Sequence, residues 1–296
     1  MNFLIANTVA AGDPGMQLVI WAVIVMTGLG LLLGLVIGIF AKYFRVADGD
    51  SRIELVLELL PGANCGGCGK PGCAEFARSV VYRENPPNRC PVSSQESVTA
   101  IALALGIEEG SSFARRAVVR CGGDLHHSSW LLNYNGVLDC ASASLVSGGP
   151  KGCRYGCLGM GNCAHKCPFG AIEIVDHLAI VHAELCVGCG LCVAACPRNC
   201  ITLIPASAHT HVFCNSPEKA VEKRKNCQVG CLGCRKCERT SPGKFVVEGS
   251  LARVNYDLPQ DQLPNAGTVE ATRCPTHALL TEEAHYRIGK LEEFHR

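Results

Sequence analysis

The chain has 296 residues, a formal net charge of +1 and 21 cysteines. The near balance of charge gives no reason to expect nucleic-acid binding. An odd number of cysteines in so long a chain argues against a small secreted disulfide scaffold. Cysteine at this density, grouped in short motifs, indicates metal binding instead.

The first predicted element is a transmembrane helix. Residues Leu18 to Ala41 include no charged side chain, and such a stretch can cross a bilayer core of about 30 Å. A cleaved signal peptide would have a shorter apolar stretch and a small-residue cleavage site, so an uncleaved anchor is favoured. Lys42 and Arg45 follow the stretch and only Asp13 precedes it. The positive-inside rule therefore predicts a single-pass membrane protein with residues 42–296 in the cytoplasm.

The next segment predicts a short helix and then a motif of four cysteines. Residues 51–54 can form a capping box, and apolar residues follow at helical spacing as far as Pro61. A glycine-rich loop holds three cysteines, and a Cys-Pro pair follows a helix predicted over 74–82. The set suits a [4Fe–4S] cluster, although four cysteines taken alone could also hold zinc. Its members are Cys65, Cys68, Cys73 and Cys90.

A two-cluster ferredoxin pattern follows. Each half ends in a Cys-Pro pair, and a strand pair predicted around 171–175 and 178–182 separates the halves. The second half has the spacing C-x2-C-x2-C-x3-C-P, which is far more typical of a [4Fe–4S] ferredoxin than of zinc. In such folds the last cysteine of each half ligates the other cluster. The predicted sets are Cys153, Cys157, Cys163 and Cys196 for one cluster, and Cys167, Cys186, Cys189 and Cys192 for the other.

The last module is a copy of the one before it. The seven residues that begin at Cys227 align without gaps on the seven that begin at Cys153. Met160 stands where Cys234 stands in the copy, and a thioether is a weak, neutral donor. We therefore expect Cys153 to replace the missing thiolate in the first copy, and Cys227 not to be a ligand.

The copy has also lost half of its ligands. Ser241 stands where Cys167 stands, and the stretch 256–273 lacks the three clustered cysteines of a second half. By the crossing rule these four positions belong to one cluster, so the copy is predicted to hold one cluster rather than two. Its ligands are Cys231, Cys234, Cys237 and Cys274.

The predicted fold class is α+β. Five segments are expected: an N-terminal segment and anchor, a small helical four-cysteine [4Fe–4S] module, a linker region, a two-cluster ferredoxin-like domain, and a degenerate ferredoxin-like domain with one cluster. Their boundaries are 1–45, 46–105, 106–148, 149–206 and 207–296.

Of the cysteines without a role, Cys200 and Cys214 are expected to be buried thiols. The others are Cys121, Cys140 and Cys227. The basic run 219–225 is interpreted as a solvated helix face.

With these motifs in place, the chain resembles the B subunit of the Rnf complex, a membrane-bound, ion-translocating oxidoreductase. The resemblance covers nearly the whole chain and rests on the anchor, on the loop 64–73 with its later Cys-Pro pair, and on 120–123, 134–140 and 149–159. It is to the longer form of that subunit, which carries a second ferredoxin-like module. The defective half of the last module departs from that form.

The resemblance implies an electron-transfer subunit that exchanges electrons with soluble ferredoxin and relays them to other membrane and peripheral subunits. The complex as a whole is an enzyme that couples ferredoxin:NAD oxidoreduction to Na⁺ or H⁺ transport. No residue is expected to act as acid, base or nucleophile, because the clusters carry the chemistry. The sequence has no dinucleotide-binding G-x-G-x-x-G after a strand, so NAD is expected to bind another subunit. A relay subunit of a different membrane reductase, and a metal-stabilised scaffold, remain as alternatives.

Overall fold

The computed structural model describes residues 14–43, 50–110 and 114–288; Asp13 and Arg45, used in the topology prediction, lie outside them. The helices are α1 (Pro14–Tyr43), α2 (Ser51–Leu59), α3 (Cys73–Val81), α4 (Gln95–Leu105), α5 (Cys140–Leu145), α6 (Asn162–His165), α7 (Leu191–Ala195), α8 (Ala220–Asn226), α9 (Lys236–Thr240), α10 (Ala266–Thr272) and α11 (Glu282–Ile288). The strands are β1 (Arg115–Val119), β2 (Ile172–Val175), β3 (Leu178–Val181), β4 (Ile201–Pro205), β5 (Thr210–Val212), β6 (Phe245–Glu248), β7 (Leu251–Val254) and β8 (Leu279–Thr281). The chain is thus a mixed α and β protein.

Helix α1 forms a compact unit separate from the rest of the chain. The segment Gln17–Lys42 has a mean hydropathy of 2.6 over its most apolar stretch, and none of that stretch is buried against protein. By length and composition it can cross a membrane. Exposed leucine, valine and isoleucine side chains along the whole helix are what an anchor presents to lipid.

The strands form four two-stranded antiparallel sheets in a nested order. Strand β1 pairs with β4 and encloses the β2–β3 hairpin, and β5 pairs with β8 and encloses the β6–β7 hairpin. We call residues 115–205 the first repeat and residues 210–281 the second repeat. The internal copy found in the sequence therefore has the same strand pairing as its original.

Cysteines lie inside the apolar cores. The main core of the first repeat includes the Cys121, Cys157 and Cys163 side chains beside residues of β1 to β4. The core of the second repeat includes Cys214 and Cys231 beside residues of β5 to β8. Burial places these thiols where water is excluded and where backbone amides of the strands can face them.

Tight turns place the cysteine loops against the hairpins. Gly159 has φ +67°, and a Cβ on it would lie 2.0 Å from the backbone of His177. Gly233, its counterpart in the second repeat, has φ +65° and would place a Cβ 2.6 Å from the backbone of Ser250. Only glycine allows both the left-handed conformation and this approach.

The interpretation of the basic run 219–225 as a solvated face is wrong at one position. Helix α8 covers most of the run, and Lys223 has only 2% of its surface exposed. Its ammonium donates hydrogen bonds to the carbonyl oxygens of Cys231 and Ser250. The charged face therefore carries one lysine that points into the protein.

Candidate iron–sulfur centres

The N-terminal cysteine motif is folded around one small core. The Cys73 N–H begins α3 and donates to Asn64 Oδ1 at 2.8 Å, which closes the loop. Arg89 Nε donates to the Cys68 carbonyl at 3.2 Å and so holds the Cys-Pro pair against the loop. Three predicted ligands pack on the same apolar core, and the fourth, Cys65, is on the same loop. The three are Cys68, Cys73 and Cys90.

A second predicted set surrounds a cavity of about 310 Å³ in the first repeat. The Ala117 N–H donates to Cys186 Sγ at 3.3 Å, and the Ala171 N–H donates to Cys167 Sγ at 3.4 Å. Burial, with neighbouring thiols, raises the pKa of Cys192 to about 12. The four sulfurs that line the cavity belong to Cys167, Cys186, Cys189 and Cys192.

A third predicted set surrounds a cavity of about 390 Å³ in the second repeat. The Ala252 N–H donates to Cys231 Sγ at 3.5 Å, as strand amides do in the first repeat. Burial raises the pKa of Cys237 to about 11. Lys236 Nζ donates to the Arg273 carbonyl at 2.9 Å and ties α9 to the residue before the last cysteine. The lining cysteines are Cys231, Cys234, Cys237 and Cys274.

The fourth predicted set has a further cysteine, Cys140, close to three of its members. The groups that interact with Cys163 are Cys157, Cys140 and Cys196, whereas Cys153 is not among them; burial and these thiols raise the pKa of Cys163 to about 12. Cys140 was left without a role by sequence reasoning, and Cys153 lines a different cavity. A thiol from the linker, that of Cys140, therefore lies near Cys163.

Helix α5 explains how Cys140 reaches this place. Asp139 caps the helix by accepting from the Ser142 N–H at 2.6 Å. The Cys140 N–H donates to Asn162 Oδ1 at 2.6 Å, so the helix start is bonded to the residue before Cys163. Cys140 also packs against Met160 in one buried core. A signal existed in the sequence, because a cysteine directly after a capping aspartate starts a helix with its side chain at a fixed place.

Cys200 is a buried thiol beside two members of the fourth set. Its Sγ lies 3.5 Å from Cys196 Sγ. A hydrogen bond from Cys200 lowers the pKa of Cys157 and of Cys196 to about 6. Hydrogen bonds to Cys157 and Cys196, together with burial, raise the pKa of the Cys200 thiol.

The remaining four cysteines line one cavity of about 440 Å³, which we call the junction cavity. Two come from the first repeat and two from the second. Cys153, expected in the fourth set, and Cys227, expected not to be a cluster ligand, thus line the same cavity. The four are Cys121, Cys153, Cys214 and Cys227.

The N-terminal module contacts the first repeat through its cysteine loop. A Cβ on Gly67 would lie 3.0 Å from Cys189 Cβ. Cys65 and Cys189 are close enough for their charges to interact, although burial is the main cause that raises the pKa of Cys189. Two of the cysteine sets therefore lie side by side.

The donor sets suit a cluster better than a single ion. Among the described residues, no three His, Cys, Asp or Glu side chains converge as closely as a single metal ion requires. Four thiols that line one space, with strand amides directed at their sulfurs, are the donor set that a cubane cluster needs. A bound [4Fe–4S] cluster would supply one-electron chemistry at such a site.

Known proteins share these motifs. Residues 60–92 match the family described as "Putative Fe-S cluster", and residues 179–202 match the family described as "4Fe-4S binding domain". The B subunit of the ion-translocating oxidoreductase complex of Methanosarcina acetivorans is 40% identical over 260 residues, which cover 87% of this chain and 96% of that protein. The chain belongs to this family of B subunits.

Two further relatives extend the match. The B subunit of the proton-translocating ferredoxin:NAD(+) oxidoreductase complex of Clostridium ljungdahlii is 40% identical over 89% of this chain and 93% of its own length. The corresponding subunit of the Na(+)-translocating complex of Acetobacterium woodii is 40% identical over 77% of this chain and 69% of its own length. The expected resemblance is confirmed, and with it the interpretation of the chain as an iron–sulfur electron-transfer subunit.

Proposed function

We propose that this chain relays electrons, one at a time, between soluble ferredoxin and other subunits of an Rnf complex. The observation that carries the proposal is the grouping of cysteines in fours, each group drawn from more than one loop, with two of the four groups each lining a cavity. Four [4Fe–4S] clusters are assigned, with one ligand revised from the sequence-based set. The proposed sets are Cys65, Cys68, Cys73 and Cys90; Cys167, Cys186, Cys189 and Cys192; Cys140, Cys157, Cys163 and Cys196; and Cys231, Cys234, Cys237 and Cys274.

The arrangement of modules follows from these sets. Residues 46–105 would carry the first cluster, and its contact with Cys189 would join it to the first repeat. The ferredoxin-like domain at 149–206, completed by Cys140 from the linker 106–148, would carry two clusters. The degenerate domain at 207–296 would carry one.

In the relay, the protein would set the reduction potentials of the clusters and exclude water from them. Amides of Ala117, Ala171 and Ala252 donate to cysteine sulfurs, and hydrogen bonds to cluster sulfurs raise the reduction potential. NAD would bind a partner subunit. The relatives' names state that their complexes act on ferredoxin and NAD(+), which supports ferredoxin as the soluble partner.

Iron and acid-labile sulfide contents test the relay. The full chain, reconstituted in detergent without oxygen, is expected to bind at least about sixteen iron atoms, four per set. Reduced ferredoxin should then bleach its visible absorption and produce reduced-cluster spectra. An iron content near eight, tightly bound zinc in its place, or metal that cannot be reduced would contradict the relay and favour a scaffold.

Protease accessibility tests the proposed side of the membrane. We propose that residues 42–296 face the cytoplasm, because Lys42 lies in the last turn of the apolar helix, at its carboxyl end. Protease added outside intact cells should leave the cluster domains whole, and protease added to inverted vesicles should digest them. The opposite pattern would reverse the topology.

A further inference from the structure

The junction cavity has the features expected of another metal site. Its four cysteines are free thiols, two of them buried and two half-buried. A Cβ on Gly156 would lie 3.4 Å from Cys121 Sγ and 3.5 Å from Cys153 Sγ. A Cβ on Gly123 would lie 3.1 Å from Cys227 Sγ and 3.9 Å from Cys121 Sγ. Glycines thus leave room where three of the sulfurs face the same space.

Each repeat contributes two cysteines to this cavity, from equivalent positions. Cys121 stands two residues after β1, and Cys214 stands two residues after β5. Cys153 and Cys227 are the aligned cysteines that begin the repeated motif. Each repeat therefore contributes one cysteine from a strand end and one from a motif start, which makes the site a two-fold copy of one half-site.

Backbone hydrogen bonds hold the two halves together. The Gln228 N–H donates to the His127 carbonyl, and the Ser129 N–H donates to the Asn226 carbonyl, both at 2.9 Å. The Ser129 carbonyl accepts from the Gly152 N–H at 2.8 Å. The segment 127–129 thus lies between the residues next to Cys153 and those next to Cys227, and fixes both in place.

Buried cations face the cavity. Lys151 and Lys223 line it with 1% and 2% of their surfaces exposed. Their ammonium groups donate to the carbonyls of Cys157 and Cys231, which are aligned positions. Within the described ranges, no carboxylate forms an ion pair with either lysine, and the one acidic residue in the lining, Glu218, bonds to Ser216.

Buried ammonium groups require a negative partner. The partners of these ammonium groups are carbonyl oxygens and, for Lys151, the Trp130 ring centroid 5.6 Å from Nζ. Burial in such surroundings is costly, because none of these groups carries a negative charge. A metal centre held by four thiolates carries net negative charge and would neutralise both lysines. A zinc ion would draw its sulfurs to about 3.8 Å from one another, given Zn–S bonds of about 2.3 Å. The sulfurs here do not converge on a single ion's position in the described structure.

We propose that Cys121, Cys153, Cys214 and Cys227 bind a fifth [4Fe–4S] cluster at the junction between the two repeats. With this set, every cysteine except Cys200 belongs to a group of four. The proposal extends the relay proposed above and rests on it only in treating the chain as a carrier of clusters.

The position gives the fifth cluster a role. Cys121 shares the core of the first repeat with Cys157, a ligand of the fourth set. Cys214 shares the core of the second repeat with Cys231, a ligand of the last set. The junction cluster would accept one electron from one repeat and pass one to the other.

The iron content of the full chain tests whether the fifth cluster exists. Reconstituted without oxygen in detergent, the wild-type chain is expected to hold about twenty iron atoms, five groups of four. About sixteen, or about sixteen with one zinc, would overturn the fifth cluster while leaving the relay standing. About eight would overturn the relay itself.

Variants from the two repeats show whether the site is shared. Cys121→Ala and Cys214→Ala should each lose about four iron atoms and the same component of the reduced-state spectrum. Because both ligate one cluster, the double variant should lose no more than either single variant. Cys200→Ala, which removes a buried thiol outside all five sets, is the matched control and should keep all of its iron.

The spectra of the other four clusters report whether each variant folds. If Cys121→Ala and Cys214→Ala lose different components, or lose iron additively, the two thiols do not share a site and the proposal fails. If one variant does not fold, Cys227→Ser and the wild-type iron count still test it.

Discussion

The two repeats have the same strand order but hold different numbers of cysteine sets. In each, an outer strand pair encloses a hairpin, and a buried lysine bonds to the carbonyl of the aligned cysteine. Under the proposed assignment, the first repeat holds two sets, one of which takes a thiol from the linker, and the second repeat holds one. The shared strand framework would then not depend on a full complement of clusters.

Apolar packing replaces the missing set in the second repeat. The stretch 256–273, where a second triad would be, contributes Leu263 to a core with Phe213 and Ile204. Helix α10 follows, capped by Asn265, whose side chain accepts from the Thr268 N–H at 3.0 Å. A buried leucine side chain can stabilise a fold by about 2 kcal/mol. The comparison shows how a ligand half can be lost without loss of structure.

The sharpest test of the comparison concerns Met160. Cys140→Ala is expected to lose about four iron atoms and the matching reduced-state signal, because one cluster loses a thiolate. Cys140→Ala with Met160→Cys should regain them, since Met160 stands where the second repeat has its ligand Cys234. Iron content and the reduced-state spectrum provide the measurement.

Ser144→Ala, on the same helix α5, is the control and should keep its iron, because Ser144 bonds only within that helix. Full iron in Cys140→Ala would restore the sequence-based assignment of Cys153. Failure of the double variant to regain iron would show that Cys140 acts through folding rather than as a ligand.

The close turns that the two repeats share should both be intolerant of a side chain. Gly159→Ala is expected to destabilise the chain by about 3 kcal/mol or more, because strain at positive φ adds to an overlap with the backbone of His177. Gly233→Ala should cost less, since its nearest atom is farther away. Denaturant midpoints followed by visible absorption, without oxygen, measure both.

Glycines at similar φ with open space separate strain from overlap. Gly170→Ala and Gly243→Ala would meet no atom within 4 Å among the described residues, and each should cost about 1 kcal/mol. Equal losses in all four variants would show that the close approach does not matter.

A smaller effect is expected from removing the thiol of Cys200, which lies in the first repeat. Cys200→Ala removes a hydrogen bond to Cys196, whose sulfur lies 3.5 Å away. A hydrogen bond worth about 1 kcal/mol corresponds to about 40 mV for one electron, so the potential of that cluster should become more negative by about this amount. Redox titration measures it. An unchanged potential in a variant with full iron would contradict the hydrogen bond.

The smallest effect is expected at the serine of the second repeat. Ser241→Cys restores one lost thiolate but none of its three partners, so no cluster should form and iron content should not change. A gain of about four iron atoms would show that the second repeat retains ligands which neither its sequence nor its structure indicates.

The sequence by itself determined the features that depend only on residues close to one another along the chain. The spacing of three cysteines on one loop, the Cys-Pro pairs, the apolar anchor and the β2–β3 hairpin are local patterns, and the structure has the helix and the strands at those places. Two cavities are each lined by a complete predicted set of four cysteines. In each set three cysteines are close in sequence, and the ferredoxin motif indicated the fourth, more distant one.

Only the tertiary structure decided the rest. Spacing suggested Cys153 as the nearest substitute for a missing thiolate. The structure instead bonds the start of α5, with Cys140, to Asn162, and has Cys153 and Cys227 line one cavity, which is the basis of the proposed revision. Charge patterning placed Lys223 in water, yet α8 turns it inward. Ligands and buried charges that meet across two repeats leave no mark in local spacing, because distance along the chain does not limit which side chains meet once the strands have paired.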